Sequence, residues 1–136
     1  MSIEIVNKFQ LKIYNILASN PEIKDIIENN CYLSIIENST QPCLLIDILH
    51  IKNLSLITQT IYDIQFEVSA FSREKNQKIL FKLATIIEKL LKIDNFWLEN
   101  FLVSSIKYSD ISFHKGSDML SNKLSMQYFA LIKNRS

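Results

Sequence analysis

Glycine is almost missing from this chain. One residue, Gly116, stands where a sequence of 136 residues carries about ten on average. Loops that cradle phosphates need several glycines at fixed offsets, so Walker, dinucleotide and kinase-type loops are excluded by count. Cysteine is scarce too: Cys31 and Cys43 are too few for a disulfide scaffold. With His50 and His114 they match no CxxC, HxxxH or HExxH spacing, so no zinc pattern and no cofactor is expected. Charge of one sign is lacking. Lysine and arginine number 15, aspartate and glutamate 14, which argues against a strongly basic nucleic-acid binder and against an acidic tail. No apolar run approaches the ~18 residues that a spanning helix needs, and no membrane partner is expected. Glu4 precedes any apolar run and no basic n-region is present, so no signal peptide is expected and the default setting is cytosolic and reducing.

What remains is an ordinary globular composition, 48% hydrophobic and 21% charged, at a length that suits a single domain over residues 1–136. Val6, Phe9, Ile13, Ile16 and Leu17 recur at helical spacing and predict a first helix ending near Ser19. Asn20-Pro21-Glu22 restarts a short helix, with Asn20 as cap and proline in the first turn; Asn29-Asn30 ends it. The period then changes. Tyr32 to Ile36 and Cys43 to Ile51 read as strands, the second apolar on both faces and so expected to be covered on both. Tyr62, Ile64, Phe66, Val68 and Ala70 alternate with polar residues and predict a strand with one buried and one wet face.

Ser72 is expected to cap a long helix from Arg73 to about Ile93, with Glu74 in its first turn. Two more strands follow, Phe101 to Tyr108 and Leu124 to Ile132. Between them, Asp110 to Asn122 reads as a long polar connection holding the one glycine. Strands cluster around one long helix rather than alternating with helices. The expected fold is therefore α+β: a largely antiparallel sheet, with one long helix and an N-terminal helix pair packed on one face.

Catalytic readings are weak. Nucleophilic catalysis needs a base beside the nucleophile. No nucleophile elbow surrounds His50, His114 or Ser104-Ser105, and the glycines to build one are missing. Asp63 and Glu67 share a strand face but stand about 13 Å apart by strand rise, too far for a retaining carboxylate pair; Asp47 is a further carboxylate in a strand. The most regular polar feature is a row of lysines on the long helix, Lys75, Lys78, Lys82 and Lys89, which form one stripe. That stripe is either a solubilising face or the charged lining or rim of an assembly. Phe96 and Trp97 follow the helix and are expected in the core rather than at an interface.

The strand Ile61 to Ser72 running straight into the charged start Arg73-Glu74-Lys75-Asn76 resembles the small tail-completion or tail-terminator proteins of tailed phages and gene transfer agents. The flanks agree: a helix over Phe9 to Leu17, an Asn20-Pro21 helix start, a proline loop before Cys43-Leu44-Leu45-Ile46, a strand over Leu102 to Ile106, a polar turn, and a final strand over Leu124 to Ile132. That family usually has glycines around the first turn and before the penultimate strand, where Asn29-Asn30 and Glu99-Asn100 stand here. The resemblance implies a non-enzymatic structural protein. It would close with copies of itself into a hexameric ring at the head-proximal end of a tail tube, with the tube protein and a head–tail connector as partners. It implies assembly in the bacterial cytoplasm, residence in the tail of a phage-like particle, and non-specific DNA passage through the ring. It supplies no catalytic residue. Phe129 and Leu131, apolar on the second face of an expected edge strand, are the candidate assembly interface, and the lysine stripe is the candidate channel lining. A head-side stopper and an intracellular bacterial adaptor domain are the alternative readings.

Overall fold

The computed structural model describes residues 3–34, 42–73, 77–115 and 122–134. The chain opens with α1 (Glu4–Ala18), whose Val6, Phe9, Ile13 and Leu17 are all buried on one side. Helix α2 (Pro21–Ile27) follows; the Asn20 side chain accepts a hydrogen bond from the Ile23 N–H at 3.1 Å, the cap read from Asn20-Pro21. Among the described residues, six strands and one more helix follow: β1 (Cys31–Tyr32), β2 (Cys43–Asn53), β3 (Ile61–Ser72), α3 (Lys78–Leu90), β4 (Phe96–Leu98), β5 (Phe101–Lys115) and β6 (Asn122–Asn134).

The strands form one sheet in the order β1-β2-β3-β6-β5-β4. Among the described strands, only the β1–β2 pair is parallel. The expected α+β class, with helices on one face of a mainly antiparallel sheet, is the observed one. Alternation decides which face is buried. Tyr62, Ile64, Phe66, Val68 and Ala70 of β3 lie directly opposite Ile132, Ala130, Tyr128, Met126 and Leu124 of β6, and all ten join the core. Phe9 meets Phe66 edge-on at 5.3 Å between ring centroids, and Phe66 stacks on Tyr128 at the same distance. The sheet curls around the helices. Helix α1 touches β1 and β2 at one edge and β4 at the other, and Lys8 Nζ donates to both carboxylate oxygens of Glu99 at 2.7 Å.

Several expectations are corrected. Ser72 is no helix cap: it is the last residue of β3, 1% exposed and opposite Asn122. Pairing with β6 carries the strand to that point, so α3 begins at Lys78. Glu74 and Lys75 lie outside the described residues. Most of the expected polar connection is strand, because β5 continues to Lys115 and β6 already starts at Asn122. Cross-strand pairing overrides the polar composition of Ser109 to Lys115. Two irregularities in the β5–β6 register, at Val103/Ser105 and Tyr108/Asp110, bend the strand and blur the period-two pattern. Strand β2 is covered on both faces only in its first half: Leu44, Leu45 and Ile46 are buried, whereas Leu49 is 42% exposed. Of the run expected over Tyr32 to Ile36, Cys31–Tyr32 forms β1, and residues 35 and 36 lie outside the described residues. Phe96 packs against the core, but Trp97 is half exposed.

Among the described residues, Glu28, Asn95 and Glu99 have a positive φ, where glycine is the usual choice. Glu28 closes α2 with φ 58° and ψ −120°. Glu99 has φ 57° as the first central residue of the two-residue β4–β5 hairpin, since Leu98 pairs with Phe101. A positive φ at that position alone defines a type II′ turn, which normally takes glycine there. Glu99 is one of the positions where the resemblance calls for glycine; Glu28 precedes the other, Asn29-Asn30, neither of which has a positive φ.

Candidate functional site

The lysine stripe survives in part. Lys78, Lys82 and Lys89 are all exposed on α3, and their spacing places them within a narrow arc. The opposite side of the helix carries Leu80, Leu83, Ala84 and Ile87, packed over β3 and β6. The stripe therefore faces away from the sheet. Phe81, 51% exposed, and Glu88 flank it on the side toward β5.

Phe129 and Leu131 occupy the other face of the sheet. Phe129 is 38% exposed and Leu131 half-buried. They are not on an edge strand. β6 lies between β3 and β5, with Gln65 and Lys107 opposite Phe129, and Asp63 and Ser105 opposite Leu131. The final strand returns to the middle of the sheet, so its backbone groups are taken up on both sides, and these residues offer only side chains to a partner. The structure does not bring the lysines and this apolar pair together.

Other candidate groups lie apart. His50 is exposed on β2 and His114 on β5, with two strands between them. His114 Nε2 lies 3.1 Å from the Ser112 hydroxyl. Cys31 and Cys43 are both buried. Burial and the neighbouring Cys43 push the Cys31 thiol up to about 12, and burial pushes Cys43 up to about 11, so both stay protonated and unreactive near neutrality. Among the described residues, no three histidine, cysteine or acidic side chains are grouped to hold a metal ion. No described helix is long and apolar enough to cross a membrane.

Strand register reveals one carboxylate pair that spacing along the chain hid: Asp47 lies opposite Glu67. It is not an acid–base pair. Burial alone raises the Glu67 carboxyl, but the Ser69 hydroxyl at 2.6 Å and the Lys123 ammonium at 3.3 Å more than offset this and hold it below its ordinary value. A general acid needs the reverse shift.

One exposed apolar group was invisible to pattern reading. Beyond its second irregularity, β5 sends Ile111 and Phe113 to the helix side, opposite Met126 and Leu124 of β6. Helix α3 covers this side of the strand only in part. Tyr108, Ile111 and Phe113 are 41%, 43% and 37% exposed, and Phe113 packs on Phe81 with centroids 5.1 Å apart. Separately, a groove of about 580 Å3 runs beside the second half of β2, lined by Ile3, Ile48, Leu49, His50, Ile51, Asn53 and Tyr62.

No protein-family model matches this sequence. No curated protein matches it either. Among solved structures, the fold is similar to that of a chain in the structure titled "Virion of native gene transfer agent (GTA) particle". The TM-score is 0.83 at 10% sequence identity, over 98% of this chain and 100% of the other. At that identity, the shared property is the fold, from end to end of both chains.

Proposed function

We propose that this protein is a structural subunit of a phage-like particle, without enzymatic activity. Within that class we read it as a tail-completion, or tail-terminator, protein of a gene transfer agent or prophage. The observation that carries the reading is the fold match to a gene transfer agent virion chain over 98% of this chain and 100% of the other. In this reading, copies close into a hexameric ring at the head-proximal end of the tail tube, contacting the tube protein on one side and a head–tail connector on the other. Closure by rotation requires two unlike patches per chain. The exposed face of α3, with Lys78, Lys82 and Lys89, then lines the channel, where lysines hold a passing duplex through its phosphates without reading sequence.

Particles produced without this protein test the assignment. Electron microscopy should show tails of uncontrolled length or heads without tails, and normal particles would refute it. Normal heads and tails of correct length that fail to join would favour a head-side stopper instead. Charge reversal of Lys78 and Lys82 should lower DNA transfer while particles still assemble; unchanged transfer would remove the channel role. One observation favours a second reading, an adaptor domain: the exposed group Phe81, Tyr108, Ile111 and Phe113 is the kind of apolar surface that binds a protein partner.

A further inference from the structure

The sheet has two edges, and each is covered only in part. Strand β1 pairs with β2 at Leu44 and Leu45 and no further. Strand β4 pairs with β5 only at Phe101, Leu102 and Val103. Among the described residues, no strand pairs with the outer edge of β2 beyond Leu45 or with that of β5 beyond Val103. The Ile46 carbonyl already accepts from a side chain, Gln10 Nε2 at 2.9 Å, rather than from a strand. Open edges present rows of main-chain donors and acceptors, and the chemistry that satisfies them is another strand.

We propose that the outer edge of β2, Asp47–Asn53, pairs antiparallel with the outer edge of β5, Ser109–His114, of a second copy, so that the sheet continues from one chain into the next. This inference names the interface of the ring proposed above and rests on that reading. The two edges are complementary in one register. Ile51 opposes Ile111 and Ile48 opposes Phe113, all four directed to the helix side in their own chains. Lys52 opposes Asp110 on the other face, and Asp47 opposes His114. The extra residue Leu49, already skipped in the β2–β3 register, is skipped here as well.

The covering strands fall outside this window. In the same register, β1 lies beyond one end of the intermolecular pair and β4 beyond the other, so neither of these two strands has to move aside. The groove beside β2 supplies the receptor: its walls Ile3, Ile48, Ile51 and Tyr62 are apolar, and it accepts the exposed Ile111 of the neighbour. Because the two edges are different surfaces on opposite sides of one sheet, the contact is heterologous. Each chain uses both, the kind of contact that closes into a ring when the rotation between neighbours divides a full turn. The irregularity at Tyr108/Asp110 ends the pairing, as bulges do on protected edges.

Single-cysteine variants test this directly, since Cys31 and Cys43 are buried and protonated. Ile51→Cys and Ile111→Cys proteins, mixed at millimolar concentration under mild oxidation, should give a disulfide-linked dimer, while either variant alone should give almost none. As a second measurement, Lys52→Asp and Asp110→Lys should each weaken self-association by roughly five- to tenfold, and the double exchange should restore it. Persistent monomers at millimolar concentration would overturn the pairing. So would oligomers that yield no mixed disulfide, an outcome that leaves the ring reading standing on a different interface. A mixed disulfide together with normal particles in the deletion strain would keep this interface and refute the tail assignment.

Discussion

Replacing Glu28 by glycine should make the protein more stable. Glu28 holds φ 58° and ψ −120°, a conformation in which a Cβ collides with its own backbone and which glycine enters freely. The N–H of Glu28 donates to the Lys24 carbonyl at 2.8 Å, so the end of α2 fixes this geometry and the side chain, exposed, has no part in it. Holding a non-glycine residue in such a region costs about 1–3 kcal/mol, and glycine gives back about 0.5–1 kcal/mol through its greater freedom in the unfolded chain. The net expectation for Glu28→Gly is a gain of about 1 kcal/mol, or about 3–5 °C in Tm at this chain length. Urea unfolding followed by far-ultraviolet circular dichroism would read it as a higher midpoint with unchanged slope. Glu28→Ala is the control, because it removes the carboxylate but keeps the Cβ, and it should gain little. If glycine brings no gain, or alanine brings the same gain, the effect does not come from backbone strain and the reasoning is wrong.

Three further predictions follow from the core and the outer sheet face. Phe66→Ala should cost about 3–5 kcal/mol, since the ring is fully buried between Phe9 and Tyr128, and chemical denaturation would measure it. Tyr128→Phe should be neutral or stabilising by up to about 1 kcal/mol, because the Tyr128 hydroxyl is buried without a hydrogen-bond partner among the described residues; a loss above that would reveal a partner. Glu67 ionises below the ordinary value of 4.5 once folded, so the stability it contributes is complete above that value and disappears as pH falls through the lower folded value. Glu67→Gln should therefore be less stable than the parent at pH 7 and approach it toward pH 3, and a constant difference across that range would refute the assignment.

The amino-acid order alone determined the helix-rich start, the cap at Asn20, the two-faced strand Tyr62 to Ala70 and the α+β class, because local propensity and period-two burial act within a few residues. Tertiary pairing decided the rest. Ser72 extends a strand rather than capping a helix because Asn122, fifty positions away, lies across from it. Asp110 to Lys115 is polar enough to read as loop, yet a neighbouring strand takes up its backbone hydrogen bonds. Phe129 and Leu131 were legible as an apolar outward pair, but the strand order that places them mid-sheet was not. The same order creates the two half-covered edges and leaves Tyr108, Ile111 and Phe113 only partly covered. An edge is a property of which strands lie side by side. Contacts distant in sequence set that arrangement, and no local pattern of side chains encodes it.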